Sequence, residues 1–276
     1  ACGVAAHALW PVLSIRTWAI VHSLAALVLV VLGRYTVFEN VMKVLIGLMT
    51  ITLLVSVVLV GPDFMSFLRG FIPTLPRGSA GATLSLMGGV GGSVTLLSYG
   101  YWIREEGRSG AGDLAVCRID LAVGYAMTAL FGVAMVIIGS TVEIEGRGAG
   151  LLVTLSEHLA EALGPAAGTL FLLGALGAVF SSLLGVWQAV PYLFADFVHE
   201  WRKDSGDKRI DTGSLPYRAY LAFLAIPPMI LLWVGKPVWL VLLYAVAGAA
   251  FMPLLAGLLL YMNGYRDWLG ALRNRW

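Results

Sequence analysis

The chain has 276 residues, of which 59% are hydrophobic and 12% charged, about half the 25% charged share of a soluble domain. Its 18 basic and 16 acidic residues, with a net charge of +2, cannot clothe a water-exposed globule of this size, and the mean hydropathy of +0.86 agrees. A soluble enzyme, a nucleic-acid binder and a disordered regulator are excluded; an integral membrane protein is expected, and 33 glycines suit packed membrane helices.

The chain opens Ala1, Cys2, Gly3, without Met. Its first apolar stretch, residues 1–10, is shorter than the roughly 20 residues that a hydrocarbon core about 30 Å thick requires. It also lacks the basic lead of a signal peptide, so the expectation is a truncated chain that starts inside a helix. Cys2 and Cys117 are too few for a disulfide framework or a four-ligand zinc site. Seven spans follow, at 17–33, 41–61, 80–103, 119–140, 166–194, 217–234 and 238–262. The connections are short and polar, with no heptad series and no low-complexity tract. The expected architecture is therefore all-α, a polytopic membrane helical bundle forming a single transmembrane domain over 1–276.

Thirteen of the 18 basic residues fall on one side, chiefly in 104–118, 202–218 and 266–275, while Arg16, Arg69, Arg77, Arg147 and Lys236 fall on the other. Lys and Arg collect on the cytoplasmic side, so loops 104–118 and 199–216 are expected there. The 141–165 loop, with Glu143, Glu145, Glu157 and Glu161, is expected outside.

Ionisable groups inside spans are costly and mark function. No Asp or Glu lies mid-span, which argues against an intramembrane aspartyl protease or a carboxylate relay. His22, near a helix end, reads as a packing residue. Arg218, opening the 217–234 span, reads either as a snorkelling interface arginine or as a functional cation. Trp18, Tyr35, Trp102, Trp201, Tyr217 and Trp239 lie near span ends and read mostly as interface anchors.

The third span carries four glycines in five positions, Gly88, Gly89, Gly91 and Gly92. Each Gly costs a helix about 1 kcal/mol relative to Ala, so the cluster weakens this one by ~4 kcal/mol. Transporters open helices in this way to present carbonyls to cations. Close GxxxG packing of Gly88 and Gly92 is the alternative, though it needs only two of the four. The expected metal site comprises the carbonyls of Met87, Gly88 and Gly89 with the Ser93 hydroxyl, oxygen donors that suit magnesium or manganese. In the 166–194 span, Ser181, Ser182 and Gln188 read either as interhelical glue or as pathway lining.

These residues resemble the Nramp family of proton-coupled divalent metal transporters. Residues 33–39 are similar to its fourth-to-fifth helix junction, and 88–104, including Ser98 and Arg104, to its sixth helix. Phe180, Ser181, Ser182, Leu183, Leu184 and Gly185 are similar to its eighth helix, and Pro253 suits its tenth. The resemblance implies a partial LeuT-like inverted-repeat fold, helices four to ten plus a stub of helix three. It also implies a proton-pathway role for Arg218 at the helix-nine basic position. The chain departs from the family where the helix-six Met-Pro-His motif falls on Val90, Gly91 and Gly92, and where a helix-ten Gln falls on Ala245. On this mapping, helix one, which carries the family's Asp and Asn ligands, is expected to have no counterpart among these residues. These departures suggest a divergent branch, magnesium-transporter-like or uncharacterised. The function implied is secondary active transport of a divalent cation such as Mg or Mn, coupled to protons. The alternative is a same-fold transporter of a small organic solute. Neither reading implies an enzyme, a resident cofactor or a nucleic-acid partner; the partners are the lipid bilayer and the cation, and the localisation implied is a bacterial-type inner membrane.

Overall fold

The computed structural model describes residues 1–32, 35–70, 72, 78–81, 83–84, 93–108, 110–140, 150–202, 212–233 and 237–265. They form α1 (Cys2–Leu9), α2 (Ile15–Leu32), α3 (Tyr35–Val60), α4 (Phe64–Arg69), α5 (Ser93–Glu105), α6 (Leu114–Ser140), α7 (Leu151–Leu163), α8 (Pro165–Trp201), α9 (Leu215–Ala225) and α10 (Pro237–Gly264). A 3-10 segment, Pro227–Trp233, extends α9. Six of these stretches are long and apolar enough to cross a membrane: Ile15–Leu32, Thr36–Val60, Leu114–Ser140, Pro165–Trp201, Leu215–Trp233 and Ala245–Gly264. They fall on six of the seven expected spans. The seventh, at 80–103, is described only at its two ends.

The chain divides into two compact units, Ala1–Ile72 with Ser98–Gly235, and Pro73–Leu97 with Lys236–Trp276. In the second, α10 is apolar with no polar face, the pattern of a membrane span. In the first, α8 is the axis: α1, α2, α3, α7 and α9 all pack against it, and α6 packs on α3. Outward faces carry large apolar side chains, such as Val28 on α2, Val58 on α3 and Val136 on α6. In lipid this is no penalty, because acyl chains are as apolar as leucine; association instead needs close packing at small residues.

The first half of α8 meets that need with glycine. A Cβ on Gly168 would lie 2.6 Å from the Ser156 carbonyl oxygen of α7, and one on Gly174 would overlap Thr52 Oγ1 of α3. Around these contacts Leu53, Ala134, Ile138, Leu155, Leu159 and Phe171 form one buried cluster. Ala26, Leu184, Trp187, Tyr192, Ala195, Tyr217, Leu221 and Ala225 form a second around the later half of α8.

Two features differ from expectation. The 141–165 stretch, expected as a loop, contains α7. Its apolar residues Leu151, Leu152, Leu155, Leu159 and Leu163 follow helical spacing, and the side carrying Leu155 and Leu159 is buried while Glu157 and Glu161 stay exposed. Tyr217, expected as an interface anchor, is only 3% exposed; its ring is held edge-on to Tyr192 at 5.2 Å. His22 does pack, its Nδ1 lying 2.7 Å from the Trp18 carbonyl and its ring edge-on to Phe180.

Candidate functional site

Four residues of α5, Ser98, Tyr101, Trp102 and Glu105, fall at i, i+3, i+4 and i+7, the spacing of one helical face. On α8, Gln188, Ala189, Tyr192 and Asp196 fall at i, i+1, i+4 and i+8, again one face. The two faces meet through side-chain tips. The Ser98 hydroxyl donates to the Ala189 carbonyl at 3.4 Å, and Trp102 Nε1–H donates to Gln188 Oε1 at 2.6 Å. The Tyr101 hydroxyl donates to Asp196 Oδ2 at 2.5 Å, and the Tyr192 hydroxyl donates to Glu105 Oε1 at 3.0 Å. The Tyr101 and Tyr192 rings stack at 5.9 Å, and the Arg104 guanidinium lies 5.8 Å from the Tyr101 ring centre.

Pro191 lies inside this stretch of α8. It has no N–H to give the Trp187 carbonyl, so the helix loses one internal bond where it takes on four external ones. Hydrogen bonds to charged groups are worth about 1.5–3 kcal/mol each, so the two tyrosine–carboxylate bonds carry most of the polar attachment. The opposite side of α5 is tied to α6. There the Tyr99 hydroxyl lies 3.0 Å from Asp120 Oδ2 and 3.2 Å from the Cys117 carbonyl, and Arg108 reaches Asp120 and Glu106 at 3.6 Å each. Partly exposed ion pairs of that length add little, about 0–1 kcal/mol.

Of the residues expected to form the site, Met87, Gly88 and Gly89 lie outside the described residues, as do Val90, Gly91 and Gly92. Ser93 opens α5, and its side chain lies outside them too. Ser181 is buried, and its hydroxyl donates to the Ala178 carbonyl one turn back; Ser182 is exposed. Gln188 is buried and engaged by Trp102. Ser181 and Gln188 are two turns apart on the same face of α8, and Ser182 falls off it. Arg218 lies in the first turn of α9, beside buried Tyr217, with its side chain exposed.

Among the described residues no group of three or more His, Cys, Asp or Glu side chains is placed to hold a metal ion. A cavity of about 100 Å³ between α3, α6, α7 and α8 is lined by Met49, Thr52, Phe131, Met135 and Phe171, among others. Its one hydroxyl, on Thr52, lies 2.8 and 3.0 Å from the Leu48 and Met49 carbonyls of its own helix. That leaves no polar donor set for a cation. Sequence reasoning missed Tyr101, Glu105, Tyr192 and Asp196. Their signal was present: both helices carry a tyrosine followed four residues later by a carboxylate.

A family model described as Nramp: Natural resistance-associated macrophage protein-like matches residues 1–276. No curated protein matches the chain significantly.

Proposed function

The chain belongs to the Nramp family, and from that premise we propose that it carries magnesium or manganese across the membrane with protons, binding the cation at residues 87–93. Members of this family transport divalent metal ions, in general coupled to protons, and they are not enzymes. The observation that carries the reading is the family match over all 276 residues, joined to the glycine cluster that follows the family's helix-six position. Carbonyls of Met87, Gly88 and Gly89 and the Ser93 hydroxyl supply hard oxygen donors, which favour magnesium and manganese over cadmium. Ser181, Ser182 and Gln188 are assigned to the pathway wall, and the family resemblance implies the LeuT-like fold in which such sites are built from interrupted helices.

The test is uptake by the intact protein in proteoliposomes. Manganese or magnesium entry that acidifies the lumen, and that falls when the pH gradient is collapsed, is the expected result. No metal flux under either gradient would refute the reading and favour the organic-solute alternative.

Two further outcomes are expected. Arg218→Ala should reduce proton movement several-fold while leaving metal binding within about twofold, because the guanidinium sits at the mouth of a span and is not among the proposed cation donors. Unchanged proton flux would leave Arg218 as an interface anchor. The distribution of basic residues places loops 104–118 and 199–216 in the cytoplasm. With Cys2 and Cys117 replaced, Gly150→Cys should therefore react with an impermeant thiol reagent on intact cells, and reaction only after permeabilisation would reverse the orientation.

A further inference from the structure

The bonds between α5 and α8 are reciprocal. Each helix presents a tyrosine and, one turn on, a carboxylate: Tyr101 with Glu105, and Tyr192 with Asp196. Each tyrosine donates to the other helix's carboxylate, and the two rings stack between the bonds. The rings are themselves steadied, Tyr192 by the edge of Tyr217 and Tyr101 by Arg104.

This seam is unlike the joints of α8 with α3 and α7. On the α3 and α7 sides a glycine lets the neighbouring helix come so close that no Cβ fits. Such a joint cannot part without forfeiting its van der Waals contact, and nothing in lipid replaces it equivalently. The α5 side is held instead by hydroxyl, indole and carboxylate tips at the ends of long side chains. Water can take over each of those bonds, so parting them has a modest net cost. α8 thus has fixed joints on its α3 and α7 sides and a separable one on its α5 side.

α5 follows the glycine-rich segment in the sequence, and its Glu105 end leads into loop 104–118. We propose that the Tyr101–Asp196 and Tyr192–Glu105 pair is a latch that holds the cytoplasmic end of the α5–α8 seam closed, and that its parting opens the way by which cargo leaves. The latch rests on the transport reading above. It biases two arrangements of one seam, and bonds of this strength are of the size that shifts such populations between largely closed and largely open.

The test places a reporter in the seam. Ser98 is fully buried there, so Ser98→Cys is introduced into the intact protein with Cys2 and Cys117 replaced, and an impermeant maleimide is added to the cytoplasmic face of inside-out vesicles. Tyr101→Phe and Tyr192→Phe each keep the ring and remove the hydroxyl. Each should speed labelling about tenfold, and the double substitution more, as expected when a bond to a charged acceptor is lost. Asp196→Asn, which keeps an acceptor oxygen, should fall between parent and Tyr101→Phe; if the double variant does not assemble, these single variants decide. A second reporter, Leu159→Cys at the α7–α8 joint, is labelled with the same reagent added to the external face of right-side-out vesicles, and should not change its rate. Equal rates at position 98 in parent and variants would overturn the latch, and so would a parallel rise at position 159, which would mean general loosening. Metal flux measured on the same vesicles separates the two readings. Flux in the parent with unmoved labelling removes the latch, whereas a labelling response with no flux in the parent removes the transport reading.

Discussion

Putting a methyl group on Gly168 is expected to lower the thermal midpoint of the detergent-solubilised protein by several degrees and to expose α7 to proteolysis. The added Cβ would stand 2.6 Å from the Ser156 carbonyl oxygen, 3.0 Å from Ala160 Cβ and 3.1 Å from Ser156 Oγ. The first two contacts are backbone and Cβ, so no rotamer change relieves them, and α7 must move away from α8. Overpacking of this kind costs about 1–3 kcal/mol. The displacement also breaks the buried bond from the Ser156 hydroxyl to the Gly168 carbonyl, 3.2 Å long, stranding a polar pair at about 1–3 kcal/mol more. Gly185→Ala is the matched control. It lies on the same helix with nothing within 4 Å of its added Cβ, and it should be neutral or stabilising by up to about 1 kcal/mol. Indistinguishable melting of the two alanine variants would show that α7 is not seated on Gly168.

A Val90→Met, Gly92→His double substitution in the intact protein is expected to raise cadmium affinity about tenfold, the effect of roughly 1.4 kcal/mol of added ligation. It should change magnesium affinity far less. Thioether and imidazole are soft or borderline donors that cadmium accepts and magnesium does not, and they restore the side chains that the Nramp pattern has at these positions. Met87 is the competing sulfur, so the measurement is repeated in a Met87→Leu background. Both positions lie outside the described residues, and donor chemistry alone carries the expectation. No gain in cadmium binding in either background would mean that 87–93 is not a metal site, and the organic-solute alternative would take precedence.

The sequence is most informative where one property averaged over about 20 residues decides the outcome. Six spans were legible because hydropathy over such a window is a direct measure of what the bilayer selects. α7 was not read because, at 13 residues, it is too short for that window. Its leucines at 151, 152, 155, 159 and 163 carry a helical period that a moment-based reading would have caught. The α5–α8 contacts were illegible for a different reason. Tyr192 and Glu105 are 87 positions apart, and local pattern cannot say which faces meet. Trp102 and Tyr217 look like anchors from their place at span ends, yet Trp102 binds Gln188 and Tyr217 is enclosed by α8. Ser181 and Gln188 were singled out by residue type alone, and burial separates both from exposed Ser182.

The length of α8 has a consequence for the membrane around it. Thirty-seven residues at 1.5 Å each make a rod about 55 Å long, against a hydrocarbon layer about 30 Å thick. Upright, it carries nearly half its length as surplus. A helix with that reserve meets a thicker or thinner bilayer by leaning or by sliding its ends through the headgroups, at fractions of a kcal/mol per Å of mismatch. The helices docked on its glycines lean with it, so hydrophobic mismatch is absorbed as rotation of one body and not as strain inside it.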